Sequence, residues 1–160
     1  MSEPTITGAT AVIINAGQVL LHKRRDFRVW AVPGGRIEPD EAPGDAAIRE
    51  VKEETGYDIA IDRLVGEYRR PQIPNGSGVV FLGRVVGGAA IQHGPETRAV
   101  KWFPVSALPF SLPRTHRLYI LDAQAQTDQV VKRTIYLSKL EVFLIRSLRR
   151  LRNIVKAYFK

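Results

Sequence analysis

Residues 43–55 constrain the fold of this chain more than any other segment, because they carry clear signals for a helix with two different faces. Proline stands at the first expected helical position, where its missing N–H is tolerated, and Gly56 follows where a left-handed cap is favoured. At about 100° per residue, one face is apolar and consists of Ala47, Ile48, Val51 and Thr55. Another face carries Glu50, Glu53 and Glu54. The segment therefore predicts a helix that packs on one side and presents three acids on another.

The three glutamates indicate either a cation site or a solvated acidic face. Spacings of three and four residues bring the carboxylates close together, and three like charges there destabilise a helix unless a cation joins them. Hard oxygen ligands suit Mg²⁺ or Mn²⁺. The chain has no cysteine and only three histidines, so oxygen ligation is expected. The helix alone leaves the solvated acidic face open as the alternative.

Apolar runs with β-type patterns predict strands on both sides of this helix. The runs 10–15 and 18–24 flank Asn15-Ala16-Gly17 and predict a hairpin. Further strands are expected at 30–32, 59–68, 79–86 and 100–103, and a helix at 114–126. Strands interleaved with helices indicate an α/β sandwich.

The wider stretch from Gly35 to Tyr57 has a fixed spacing of glycine, acid and arginine. Gly35 is followed after five residues by Glu41, and after seven more by the run Arg49–Tyr57, with sequence REVKEETGY. This arrangement resembles the Nudix box, G-x5-E-x7-R-E-U-x-E-E-x-G-U with U usually aliphatic, and matches all seven of its fixed letters. Tyr57 departs from the pattern, being aromatic where an aliphatic residue is usual. The resemblance implies a Nudix-type α/β/α sandwich with a mixed sheet.

The same resemblance assigns roles to individual residues. It implies that Glu50, Glu53 and Glu54 are catalytic metal ligands, with the carbonyl of Gly34 as a further ligand. Arg49 also belongs to the implied catalytic residues, because it orients the glutamates. Glu41 supports the box by hydrogen bonding. Mg²⁺ is the expected cofactor, with Mn²⁺ as a substitute.

Glu96 lies six residues before Trp102 in the segment HGPETRAVKWFP. Many Nudix enzymes carry a glutamate on the loop before such a tryptophan-containing strand, where it serves as a ligand or general base. The resemblance makes Glu96 a candidate for this catalytic role, and a plain loop acid is the alternative.

The activity that the resemblance implies is metal-dependent hydrolysis of a phosphoanhydride bond in a nucleoside diphosphate derivative, which is a small-molecule nucleotide. A nucleoside triphosphate, ADP-ribose and a nucleotide sugar all qualify, and the products would be a nucleoside monophosphate and a phosphorylated remainder. Guanidinium groups bind phosphates in a bidentate way, so the candidate substrate-binding residues are Arg24, Arg25, Arg69 and Arg70. A non-catalytic nucleotide-binding module is the alternative, but such a module is expected to have lost box glutamates.

The excess positive charge lies entirely in the C-terminal segment. Residues 132–160 contain nine Lys/Arg and one Glu, whereas residues 1–131 contain fifteen of each charge. A helical pattern over 128–160 places Leu137, Leu140, Leu144, Leu148, Leu151, Val155 and Tyr158 in one stripe. The sequence therefore predicts a Nudix domain at 1–127 and a basic amphipathic helical extension at 128–160. The extension is expected to dock on its own domain or form a homodimer; contact with a membrane surface or nucleic acid is the less favoured alternative.

The N-terminus MSEPTITGAT has neither a basic leader nor an apolar core, and no apolar run approaches the roughly 20 residues of a membrane span. A cytoplasmic location is the resulting expectation.

Overall fold

The computed structural model describes residues 5–125, 127 and 129–147 of the chain. Its strands are β1 (Gly8–Asn15), β2 (Gln18–Arg24), β3 (Trp30–Ala31), β4 (Gly34–Arg36), β5 (Tyr57–Arg69), β6 (Ser77–Gly88), β7 (Thr97–Pro104) and β8 (Val131–Thr134). Its bounded helices are α1 (Pro43–Thr55) and α2 (Arg114–Gln124). Residues 139–147 are also helical.

The predicted opening hairpin is confirmed. Strands β1 and β2 pair antiparallel with Asn15 opposite Gln18, which leaves a two-residue loop of Ala16 and Gly17. Both loop residues have positive φ, 46° and 74°, as a tight turn that matches the twist of its strands requires. The hairpin fixes β2 beside β1 and so fixes which side chains of β2 face the helix α1.

The sheet is mixed, in the order β3-β2-β1-β6-β5-β8, with β4 also paired to β1 and β7 to β2. Strand β1 runs parallel to β6, and β6 runs antiparallel to β5. The strands β5 and β6 extend one to two residues beyond their predicted ends at each side. The predicted helices and strands up to residue 125 are thus present, and their order places β4 directly before α1.

Two cores lie on the two faces of the sheet. The side chains of β1 alternate between them, because Val12 belongs to one core while Ala11 and Ile13 belong to the other. Helix α2 covers the first core with Tyr119, Ile120 and Ala123, and α1 covers the second with Ala46, Ala47 and Val51. This is the predicted α/β/α sandwich with a mixed sheet.

The helical interpretation of residues 128–160 is wrong at its start. Val131–Thr134 form β8, which pairs parallel with β5 from Gly66 to Arg69. Pairing with the open edge of β5 supplies backbone hydrogen bonds that outweigh the weak local helical pattern. The chain then buries Ile135 and Leu137, which are 4% and 8% exposed, in the core under α2.

The described part of the C-terminal helix, residues 139–147, docks on the domain through a face that the leucine stripe does not include. Val142 and Ile145 pack against the core, whereas Leu140 and Leu144 are 66% and 48% exposed. The remainder of the predicted amphipathic helix, residues 148–160, lies outside the described residues. The division of the chain at residue 127 stays a prediction.

No helix within the described ranges is both long and apolar enough to cross a membrane.

A buried contact between His116 and the loop before β4 predicts acid sensitivity. The N–H of Val32 donates to Nδ1 of His116 at 2.9 Å, and burial, reinforced by the charge of Arg70, lowers the pKa of His116 from 6.5 to about 3. The unfolded chain therefore takes up a proton at a higher pH than the folded chain does. The stability that neutral His116 provides is complete above about pH 6.5 and is lost as the pH falls toward 3.

We expect His116→Asn to flatten this pH dependence, because the Asn oxygen can still accept the Val32 N–H but does not titrate. Urea unfolding between about pH 7 and pH 4 measures the effect, with a smaller decline in the free energy of unfolding for the variant. Equal declines for the two proteins would contradict the assignment.

Candidate active site

Helix α1 presents its acids in a fixed orientation because its C-terminus is capped and its apolar face is packed. Gly56 caps the C-terminus in the left-handed conformation, with φ of 83°, and its N–H donates to the carbonyl of Lys52. The Nζ of Lys52 donates in turn to the carbonyl of Gly56 at 3.2 Å. Val51 is fully buried against the sheet. The glutamates at positions 50, 53 and 54 therefore emerge from a rigid, packed helix.

Glu54 is the most deeply placed acid of the site, with only 4% of its surface exposed. The N–H of Gly34 donates to its Oε2 at 2.9 Å, and Nε2 of His22 lies 3.3 Å from the same oxygen. The pKa of Glu54 is raised to about 8, mainly by burial and to a smaller extent by the nearby charges of Glu50 and Glu96. A metal-free Glu54 is therefore costly to ionise, and a cation beside it would relieve that cost.

The two glycines before the helix let the backbone approach the acids closely. A Cβ on Gly35 would overlap the carboxylate of Glu50, and a Cβ on Gly34 would overlap the backbone of β1 at Ala9 and Thr10. The two glycines of β4 can thus lie between β1 and α1, where the Gly34 N–H donates to Glu54.

Arg49 connects the acids of the box. Its Nε and one terminal nitrogen donate to the two oxygens of Glu41 at 2.8 and 3.0 Å, and this lowers the pKa of Glu41 to about 2. The other terminal nitrogen donates to Oε1 of Glu50 at 3.0 Å and lies 3.5 Å from Oε2 of Glu53. The predicted support of the box by Glu41 therefore corresponds to a bidentate contact with Arg49.

The described residues include no group of three Asp, Glu, His or Cys side chains already close enough to hold a cation. Arg49 engages Glu50 and Glu53, and the side chain of Glu53 is 60% exposed. The donor set nevertheless fits a hard cation, because it consists of carboxylates and one backbone carbonyl, and because buried Glu54 is costly to ionise alone. For these oxygens to bind one cation together, the side chains of Glu50 and Glu53 must rotate away from Arg49.

Glu96 and Arg24 lie in the same electrostatic environment as the box acids. The charge of Glu96 acts on the pKa of both Glu50 and Glu54, with burial as the larger cause in each case, and the charge of Arg24 acts on Glu54. Arg24 itself is held by Asp26 through contacts of 2.9 and 2.7 Å. The backbone carbonyl of Glu96 accepts the N–H of Arg25 at 2.8 Å, which brings the end of β2 and the start of β7 together.

The other candidate arginines occupy different surroundings. Arg25 directs one terminal nitrogen to the carbonyl of Gly94 at 3.3 Å. Arg69 and Arg70 line a cleft of about 240 Å³ beside the loop 71–76, together with Thr5 and Thr7. The contacts of the described residues therefore bring Arg24 near the box acids and show no contact between those acids and Arg69 or Arg70.

Two further residues at the site, His22 and Thr97, belong to no motif of the sequence. Each is about 1% exposed, and Nδ1 of His22 lies 3.0 Å from Oγ1 of Thr97. The histidine stands among apolar residues in a strand that is buried on both faces, so alternation did not mark it. A polar residue within such a run was the available signal.

Comparison with known proteins agrees with this geometry. The model of the NUDIX domain family matches residues 4–123. The chain belongs to the Nudix family. The resemblance based on Gly35 to Tyr57 is therefore correct. The chain is a Nudix hydrolase that acts as a pyrophosphohydrolase.

Individual Nudix relatives are similar over most of the chain. A putative 8-oxo-dGTP diphosphatase of Bacillus subtilis (strain 168) is 40% identical over 112 residues, which cover 69% of this chain and 74% of the relative. An ADP-ribose pyrophosphatase of Methanocaldococcus jannaschii is 34% identical over 104 residues, 61% of each protein. The crystal structure of an ADP-ribose pyrophosphatase from Streptococcus suis 89-1591 covers 80% of this chain and 97% of its own, with 27% identity and a TM-score of 0.64. The chain is thus a Nudix hydrolase of the MutT or ADP-ribose pyrophosphatase type.

Proposed function

We propose that this Nudix hydrolase cleaves a phosphoanhydride bond in a nucleoside diphosphate derivative, with Mg²⁺ or Mn²⁺ as cofactor. The observation that carries the proposal is the position of Glu54, buried beside Gly34 with its pKa raised to about 8 within a group of further carboxylates. A buried acid that is costly to ionise, next to exposed oxygen donors, is typical of a cation site rather than a solvated face. A non-catalytic binding module would need neither this arrangement nor the complete set of box acids.

The residues that would hold the cation are Glu50, Glu53 and Glu54, with the carbonyl of Gly34. When bound, a divalent cation would neutralise charge on the phosphate oxygens and lower the pKa of a bound water. The chain itself holds Glu54 in place through the Gly34 N–H and keeps Glu50 and Glu53 within reach through Arg49.

A carboxylate oxygen of Glu96 accepts the proton of the attacking water in this proposal. Two observations support this role: its charge acts on the pKa of both Glu50 and Glu54, and its backbone carbonyl accepts the N–H of Arg25 at the end of β2. Arg24 stabilises negative charge on the distal phosphate in this proposal, which is supported by its position at the end of β2 and by the effect of its charge on the pKa of Glu54. Arg25, Arg69 and Arg70 remain candidates for more distant phosphates.

The substrate class rests on the relatives. One is named for 8-oxo-dGTP and others for ADP-ribose, and both compounds contain a nucleoside joined to a phosphoanhydride. We therefore propose the class that includes nucleoside triphosphates, ADP-ribose and nucleotide sugars, with a nucleoside monophosphate and a phosphorylated remainder as products.

The test is a screen of these compounds with purified full-length chain, scored by kcat/KM and by the identity of both products. Glu54→Gln is the inactive comparison and Lys52→Gln is the matched control, because Lys52 lies on the same helix and pairs with Asp58 rather than with an acid of the site. If the Glu54→Gln variant retained turnover, the proposed site would be contradicted.

We expect the metal-free enzyme to be inactive and Mg²⁺ or Mn²⁺ to restore activity. Ca²⁺ should restore it poorly, since the larger ion accepts looser geometry and positions a water less strictly. Initial rates after EDTA treatment and readdition of each ion measure this. Full activity in excess EDTA would exclude the proposed cofactor.

The C-terminal segment is proposed to serve docking and assembly rather than chemistry. Val142 and Ile145 already pack on the core, while Leu140, Phe143 and Leu144 are exposed and open to a homodimer contact. Size-exclusion chromatography with light scattering tests this through Leu140→Ser/Leu144→Ser, which should shift a dimer to a monomer. A monomeric wild-type chain would limit the segment to docking, with lipid or nucleic-acid contact as the remaining alternatives.

A further inference from the structure

His22 occupies a buried position between two polar side chains of different elements. It lies on β2 and is 1% exposed, and its Nδ1 is 3.0 Å from Oγ1 of Thr97 at the start of β7. Its Nε2 lies 3.3 Å from Oε2 of Glu54 on α1. The imidazole thus bridges the sheet and the acidic helix through its two nitrogens.

The second nitrogen makes no hydrogen bond within the described chain. Nε2 of His22 is buried and has no hydrogen-bond partner among the described residues. Oε2 of Glu54 is nevertheless only 3.3 Å away. A buried polar atom without a partner destabilises the folded protein. A small rotation of either side chain would align the two atoms and remove this cost.

We propose that His22 is a positioning residue for Glu54, donating Nε2–H to Oε2 of the glutamate. This inference rests on the proposed function. In this arrangement the hydroxyl of Thr97 donates to Nδ1, and the imidazole carries its proton on Nε2. Oε2 of Glu54 then accepts from both His22 and the Gly34 N–H, whereas Oε1 takes neither donor and stays available for a ligand.

The physical consequence concerns orientation rather than proton transfer. A carboxylate with one oxygen held by two donors cannot rotate freely about its terminal torsion, so its other oxygen keeps one direction. Partners of this kind commonly contribute 10- to 100-fold to the affinity of a metal site. The histidine would act through Glu54 without touching the substrate.

The experiment compares His22→Leu with His22→Gln, whose amide nitrogen can replace Nε2 as a donor. Thr97→Val and Thr97→Ser form the second pair, because valine keeps the shape and serine keeps the hydroxyl. Mn²⁺ is the probe, and its Kd is measured without substrate by electron paramagnetic resonance on proteins shown to be folded by circular dichroism. Long-range ¹H–¹⁵N spectra of the histidine side chains give the tautomer of His22.

We expect His22→Leu to raise the Kd for Mn²⁺ by about 10- to 100-fold and His22→Gln to stay within about threefold of wild type. Thr97→Val should raise the Kd by a smaller factor and Thr97→Ser should leave it unchanged. If His22→Leu does not fold, the Thr97 pair and the wild-type tautomer decide the matter. In that case the proposal would be overturned if Thr97→Val bound Mn²⁺ with wild-type affinity and His22 of the wild-type chain carried its proton on Nδ1.

Two further results separate this proposal from the proposed function. A folded His22→Leu that binds Mn²⁺ as wild type does, while Glu54→Gln loses binding, overturns the role of His22 and leaves the metal site intact. A wild-type chain that binds no Mn²⁺ overturns the proposed metal site and, with it, the role of His22.

Discussion

Glu54→Gln is expected to lower kcat by at least about 100-fold and, at the same time, to stabilise the metal-free protein. The loss of activity follows because the substitution removes a charged ligand from the proposed site. The gain in stability follows from burial, which raises the pKa of Glu54 from 4.5 to about 8. A group with a raised pKa contributes its full stability below about pH 4.5 and loses it as the pH rises through 8.

Above about pH 8 the wild-type chain therefore bears the cost of a buried charge, and the amide does not. We expect Glu54→Gln to raise the free energy of unfolding there by about 2–4 kcal/mol in EDTA, as measured by urea unfolding. The amide oxygen can still accept from Nε2 of His22, as Oε2 of the glutamate does in the proposed arrangement. The gain should disappear near pH 4, where the wild-type carboxyl is protonated.

Glu53→Gln is the matched comparison on the same helix face. Its side chain is 60% exposed, so its substitution should lower kcat to a similar extent, with little change in the free energy of unfolding. Near-wild-type turnover in both variants would contradict the assignment of the site. A destabilised Glu54→Gln would contradict the electrostatic argument alone.

Truncation at Thr127 is expected to have the second large effect, on stability. The shortened chain loses β8, which pairs with β5, and loses the buried side chains of Ile135 and Leu137. Loss of one such core side chain costs about 2–5 kcal/mol. The loss of both side chains together with β8 is comparable to the whole stability of a small domain. Thermal unfolding should show a large decrease in Tm or no cooperative transition.

A chain that ends at Ser138 is the control, because it keeps β8, Ile135 and Leu137 and removes only the helix that starts at 139. We expect it to keep most of the stability. Both truncated chains should retain metal-dependent hydrolysis in their soluble, folded fraction, since neither loses a box acid. Loss of activity in a folded shortened chain would show that the C-terminal segment helps to build the active site.

The contrast between α1 and β8 shows which parts of this fold are readable from sequence. The limits of α1, Pro43 and Thr55, match the prediction because a proline start, a glycine cap and an apolar face are all local signals. Strand β8 has only four residues, and its partner on β5 is more than 60 residues earlier in the chain. Pairing of that kind depends on an open sheet edge, which no pattern within residues 128–138 records.

The same distinction applies to the site. The box places Arg49, Glu50, Glu53 and Glu54 on one helix, so their proximity follows from helical geometry. His22 and Thr97 are separated by 75 residues and meet only because β2 and β7 pair. The role of Arg69 and Arg70 stays a prediction: both line a cleft beside the loop 71–76, a neighbourhood that depends on the fold and that no local sequence pattern records.

The contacts of Arg49 have a consequence for the order in which this enzyme matures. Many small metal-dependent domains remain unfolded until their ion arrives, because nothing else neutralises the ligands. Here one guanidinium already shares its charge among Glu41, Glu50 and Glu53, and the remaining acid, Glu54, can stay protonated near neutral pH. The chain can therefore complete its fold before any cation binds, and if the proposed function holds, metal supply would limit its turnover rather than its folding.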